Sequence, residues 1–185
     1  MGRNSKHKKK STVVPVFVDV EADGPSPVTH SLLQIGAVDI FGNTFKADFR
    51  PRDGLRYETS ALTAIGMTRE QTLGFPDAGI GVEDFHAWLD AEYVSRGQRP
   101  VFWSDNPAFD WQFVNGYFSL YGFDNPFGYS ARRIGDFFAG LNDDLAMTVQ
   151  WKRWRETAHT HDALDDATGN MEAFKRILSE FELRW

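Results

Sequence analysis

Three short segments carry residues suited to metal-assisted hydrolysis of a phosphodiester. VFVDVEADG holds Asp19 and Glu21, SDNPAFDWQF holds Asp110, and HDALDDA holds His161 and Asp166. Asp19 and Glu21 are separated by one residue, so on a strand they project to the same face. Like charges that close repel in a dry site, and one tends to keep its proton. A hard divalent cation removes the conflict and prefers oxygen ligands. An Asp-x-Glu pair also occurs at ordinary solvated strand ends, so this segment alone leaves both readings open.

Asp110 follows a turn, Ser104-Asp105-Asn106-Pro107. Pro107 suits the first position of a helix, with Asn106 or Asp105 as its cap. Asp110 then falls in the first turn, where the helix dipole favours a carboxylate with or without a metal. His161 and Asp166 are five residues apart and would not share a helix face. Their spacing makes chemical sense if His161 lies in a loop and Asp166 on the helix that follows, so that both reach the same site.

The elements that must position these residues can be read from periodicity. Val13 to Val18 is a β-branched run that predicts a buried strand, with the acids at its end and Asp23-Gly24-Pro25 as a break. Ser31 to Ile40 and Thr44 to Phe49 predict two further strands in an antiparallel meander. Ser60 to Ile65 and Thr68 to Leu73 predict short helices. Val82 to Arg96 predicts a longer one with Phe85, Trp88, Leu89 and Tyr93 inward. Pro100 to Trp103 predicts a strand, and the helix after Pro107 turns Phe109, Phe113, Tyr117 and Leu120 inward. Ile134 to Leu141 and about Asp162 to Phe181 predict the last helices. The pattern is α/β with a mixed sheet.

Taken jointly, the three segments resemble the motifs of the DEDDh family of 3′-to-5′ exonucleases, which includes RNase T, oligoribonuclease and the proofreading exonucleases. The resemblance covers roughly residues 13 to 180. VFVDVEADG looks like the first motif, NPAFD like the second and HDALDDA like the third, with the four-residue gap of the histidine subtype. His159 does not fit that spacing. The segment SALTAIGMTREQT is similar to a stretch in many members but has Ile65 where a His often precedes its Gly66.

The resemblance implies a ribonuclease H-like mixed β-sheet flanked by helices, with a metal site at the end of the first strand. It implies two ions, Mg²⁺ or Mn²⁺, held by Asp19, Glu21, Asp110 and Asp166, with His161 taking a proton from the attacking water. It puts Ala22 and Ile65-Gly66-Met67 near the terminal nucleotide and Asn106 near its phosphates; Phe109 is either a base-stacking or a core residue. The implied activity is release of nucleoside 5′-monophosphates from single-stranded 3′ ends by a homodimer, with RNA or short oligoribonucleotides favoured. A DNA proofreading or repair exonuclease is the alternative, as is a non-catalytic nucleic-acid-binding module on a nuclease fold.

Composition agrees with one enzyme domain over residues 12–185 behind a basic, disordered tail over residues 1–11. Five of the twenty Lys and Arg residues lie in the first ten positions, leaving fifteen against twenty-six acids in the remainder. So acidic a body does not suit a non-specific duplex binder, but it suits an enzyme whose acids gather around metals. The absence of cysteine excludes disulfides and thiolate metal sites. No apolar run is long enough to span a membrane, and a cytoplasmic location is expected. Trp151-Lys152-Arg153-Trp154-Arg155 interleaves aromatic and basic residues just before His161. It reads either as a wall that stacks bases and neutralises phosphates or as a solvated element with snorkelling side chains.

Overall fold

A computed structural model of the chain describes residues 12–184. The basic tail expected from the sequence lies outside the described residues.

Strand β1 (Val13–Ala22) is the centre of a five-stranded sheet of order β3-β2-β1-β4-β5. It runs on past Val18, where the apolar pattern stops, because β2 (Leu32–Asp39) still pairs with its acidic end: Asp19 lies opposite Gly36 and Glu21 opposite Gln34. The register slips between Glu21 and Ala22, an irregularity of the kind that bends a strand end next to active sites. β3 (Thr44–Asp48) completes the antiparallel meander. β4 (Arg99–Ser104) pairs with β1 in parallel, and β5 (Ala131–Arg133), unforeseen from the sequence, pairs with β4 in parallel at the edge.

The helices are α1 (Thr59–Ala64), α2 (Arg69–Leu73), α3 (Ala78–Glu92), α4 (Pro107–Leu120), α5 (Ile134–Leu141) and α6 (Ala163–Glu180). α3 starts a turn earlier than the apolar pattern suggests, because the Asp77 side chain caps it by accepting from the Gly79 N–H. α6 is capped in the same way by Asp162, which accepts from the N–H groups of Leu164 and Asp165. Asn106 occupies the cap position of α4, but its side chain makes no capping bond. Among the described residues, no helix is long and apolar enough to cross a membrane.

Helices cover both faces of the sheet, and aromatic rings fill the two layers. Phe174 of α6 lies 5.1 Å from Phe17 and 4.6 Å from Trp103, centroid to centroid. On the other face Phe85 of α3 stacks on Phe118 of α4 at 5.7 Å, and Trp111 meets Phe102 at 5.2 Å. Two expectations are corrected here. Leu120 ends α4 with half of its surface exposed, whereas Phe113 and Tyr117 are buried. Trp151 sits in a 3₁₀ turn (Gln150–Trp154) and is fully buried, its indole N–H bonded to the Thr148 carbonyl at 3.0 Å. It is core, not a face on which a base can stack.

Gly36 decides where α6 begins. A Cβ at this position would lie 2.1–2.2 Å from the Ala163 carbonyl and the Leu164 nitrogen. Only glycine lets the first turn of α6 rest on β2, beside Asp19. Gly36→Ala is expected to cost about 1–3 kcal/mol by overpacking and to push Asp166 out of register with Asp19. Thermal unfolding and turnover measured on the folded variant check this; a variant with wild-type turnover would show that α6 can shift without harm.

Candidate active site

Phe17, Asp19 and Glu21 share the β1 face that α6 covers. The parallel pairing of β1 with β4 ends at Phe17, so Val20 lies beyond it. Asp110 of α4 fills the gap: its Oδ1 accepts from the Val20 N–H at 3.3 Å, and its Oδ2 accepts from the Ser104 hydroxyl at the end of β4. Asp110 is therefore buried as well as being a first-turn acid.

Asp166 enters from α6 and is 1% exposed. Its Oδ1 accepts from the Thr160 N–H at 3.2 Å and lies 2.7 Å from Nδ1 of His159. Its Oδ2 is buried with no hydrogen-bond partner among the described residues. Asp19, Glu21 and Asp166 each present a carboxylate oxygen, all within 4.8 Å of one another. A buried orphan oxygen beside two more carboxylates is costly unless a cation completes it, so these residues fit a hard divalent ion. His161 precedes the helix in a left-handed backbone conformation (φ 58°) that is unusual for a non-glycine residue, and its Nδ1 lies 3.7 Å from Glu21 Oε1. The structure thus brings together all five residues that the spacing singled out.

A family model for the 3′-5′ exoribonuclease Rv2179c-like domain matches residues 14–178. The chain belongs to the Rv2179c-like 3′-5′ exonucleases. A curated relative, the 3′-5′ DNA exonuclease Cap18 of Escherichia coli, is 32% identical over 174 residues, covering 88% of this chain and 90% of the relative. The fold is also that of the nuclease domain of 3′hExo, a DEDDh family member solved with rAMP (TM-score 0.73, 17% identity, 92% of this chain and 94% of that one). Exonuclease I of E. coli, solved with a dT13 oligonucleotide, matches at TM-score 0.72 and 15% identity; the match covers 92% of this chain but 42% of exonuclease I. The ribonuclease H-like sheet and the DEDDh resemblance read from the sequence are both borne out.

The electrostatics of this cluster are those of acids held together without enough positive charge. Burial raises the Asp19 carboxyl well above the ordinary range, and repulsion from Asp110, Glu21 and Asp166 adds to it. Burial, then the neighbouring acids, raises Glu21 from 4.5 to about 8. Burial raises Asp110 from 3.8 to about 7, against the stabilising bonds from Ser104 and Val20. The cation that opposes the shift of Asp19 is Arg155, whose side chain stacks over Trp151 at 5.2 Å and donates to Asn170 Oδ1. The sequence placed Arg155 only in a basic and aromatic run.

These shifts carry a sign for stability. Each group binds its proton more tightly folded than unfolded, so the folded chain holds more protons between about pH 4.5 and 8 and loses stability as pH rises through that window. Metal-free protein is expected to melt several degrees lower at pH 8.5 than at pH 5.5, and Glu21→Gln to flatten the difference. Melting curves in chelator that did not change across this window would contradict the burial of these charges.

A hollow of about 290 Å³ opens beside the acids, with Glu21, Ala22, Ile65, Phe109 and His161 in its wall. Three of the expected nucleotide-binding residues, Ala22, Ile65 and Phe109, line it. Gly66 (φ 68°) turns the chain behind Ile65, and Met67 packs with Leu33 and Leu62 beneath it. Asn106 stands at the start of α4 and is not in the wall. Asp23, read from sequence as a strand breaker, is fully buried: its carboxylate accepts from the Ser31 N–H at 2.5 Å and from Arg69 at 3.0 Å. It thereby ties α2 to the end of β1.

Proposed function

We propose that this chain is a single-domain, two-metal 3′-to-5′ exonuclease that hydrolyses single-stranded RNA and short oligoribonucleotides to nucleoside 5′-monophosphates. The observation that carries this reading is the cluster of half-buried Asp19 and Glu21 with buried Asp166, whose Oδ2 is an orphan. Asp110 and His161 stand beside it, next to a hollow of about 290 Å³. Asp19, Glu21, Asp110 and Asp166 hold two divalent ions, Mg²⁺ or Mn²⁺, in keeping with an all-carboxylate donor set. When bound, such ions neutralise the phosphate and activate water for in-line attack.

The chain's own residues do the remaining work. Phe109 and Ile65 offer apolar surface to the terminal base and Ala22 leaves room for its sugar; Gly66 and Met67 support Ile65 from behind, and Asn106, at the start of α4 outside the wall, offers its amide to a phosphate. His161, at the rim of the hollow, accepts the proton of the attacking water, since neutral imidazole is a suitable base near pH 7. Glu21 Oε1 lies 3.7 Å from Nδ1 of that ring.

DNA is the second reading, favoured by the 32% identical relative that is named a DNA exonuclease. Product analysis on matched 5′-labelled RNA and DNA oligomers, from two to about twenty nucleotides, separates the two. Stepwise shortening of RNA from the 3′ end with release of 5′-monophosphates is expected; faster shortening of DNA would favour the second reading, and shortening of neither would reject both. The resemblance to RNase T and oligoribonuclease further supports a cytoplasmic homodimer. Light scattering is expected to give twice the 21.0 kDa chain mass at micromolar concentration, and a value near 21.0 kDa would rule the dimer out.

A further inference from the structure

The loop before α6 assembles a second metal-capable group of different chemistry. His159, His161 and Asp166 each present one ligand atom, all within 4.8 Å of one another. The two imidazoles lie 4.4 Å apart, centroid to centroid, tilted by 59°. The left-handed kink at His161 is the local feature that brings residues 159 and 161 to the same place. Asp166 belongs to both groups, the all-carboxylate one with Asp19 and Glu21 and this one with the histidines.

Two nitrogens and one oxygen do not suit Mg²⁺, which prefers oxygen ligands, but they suit borderline cations such as Zn²⁺ and Co²⁺. A tetrahedral zinc ion with bonds of roughly 2.0–2.2 Å needs its ligand atoms about 3.3 Å apart. Both rings can turn to meet that spacing, being 54% (His159) and 42% (His161) exposed at the side chain. The buried Asp166 carboxylate supplies the fixed ligand, and water fills the open position.

We propose that His159, His161 and Asp166 bind a borderline divalent cation, Zn²⁺ foremost, and that its capture switches the nuclease off. The site itself stands on geometry alone; the switch rests on the reading of His161 as the proton acceptor. A ring nitrogen bound to a cation has no lone pair for a proton, and a pinned ring cannot reach the attacking water. The same capture draws on Asp166, which the carboxylate group needs.

The test uses the full chain in excess Mg²⁺. Calorimetry with Zn²⁺, and visible absorption with Co²⁺ as a spectroscopic stand-in, should show one tight ion per chain. His159→Ala should weaken that binding at least tenfold and bleach the cobalt band, while Asp19→Ala keeps both. His159→Gln, of similar size, repeats the test should the alanine variant fold poorly. Binding unchanged in both His159 variants, or lost in Asp19→Ala, would mean that the cation sits among the carboxylates and would overturn the site. Zinc titrated into the Mg²⁺-dependent reaction should stop wild type at concentrations at least tenfold below those needed for the His159 variants. Equal inhibition of both would overturn the switch. Absence of any hydrolysis would count against the proposed function, while the binding arm would still judge the site.

Discussion

Asp19→Ala is expected to reduce turnover by about 10³-fold or more. Metal-derived charge stabilisation is worth several kcal/mol, and each 1.4 kcal/mol is about tenfold in rate. Asp19 has ligand oxygens of both Glu21 and Asp166 within 4.8 Å, so its loss removes one of the three carboxylates of that group. The same substitution removes a group that Asp110, Glu21 and Asp166 all repel. Metal-free Asp19→Ala should therefore melt higher than metal-free wild type above pH 7, where repulsion from Asp110, Glu21 and Asp166 is greatest. Loss of activity joined to a gain in metal-free stability separates a ligand from a structural residue. Near-wild-type turnover, with metal binding unchanged, would refute the assignment.

His161→Ala is expected to lose about 10²–10⁴ in rate, the usual contribution of a positioned general base. His159→Ala removes a partner of Asp166 Oδ1, not the proposed proton acceptor, and should lose on the order of 10-fold, as expected of a side chain that orients a proposed metal ligand. Single-turnover rates at saturating Mg²⁺ compare the two. A His159 variant more impaired than the His161 variant would transfer the role of base to His159. From the sequence His159 had no role, because its spacing to Asp166 lies outside the motif; its contact with Asp166 comes from the kinked loop.

Much of this enzyme was legible in the sequence because the signals are local. Alternation along a strand puts Asp19 and Glu21 on one face, and the turn before Pro107 puts Asp110 in a first helical turn. The 3.6-residue period located α5 at Ile134–Leu141 and α6 behind its Asp162 cap. Motif order and spacing then sufficed for the family, since they follow the fold of a single chain.

What the tertiary structure decided depends on partners far apart in sequence. β5 is three residues long with two arginines, and it is a strand only because β4 offers it an edge. Trp151 reads locally as part of a basic and aromatic run, yet the packing of α5 and α6 buries it. Gly36 looks like any glycine in a strand until α6 is laid across it. Arg155 becomes the counter-charge of Asp19 only when β1 and the turn before α6 meet. Local sequence determined which residues were available and which face each took. Long-range packing determined how close the charges came, and for acids in a dry site that closeness sets proton affinity, the need for cations and the chemistry.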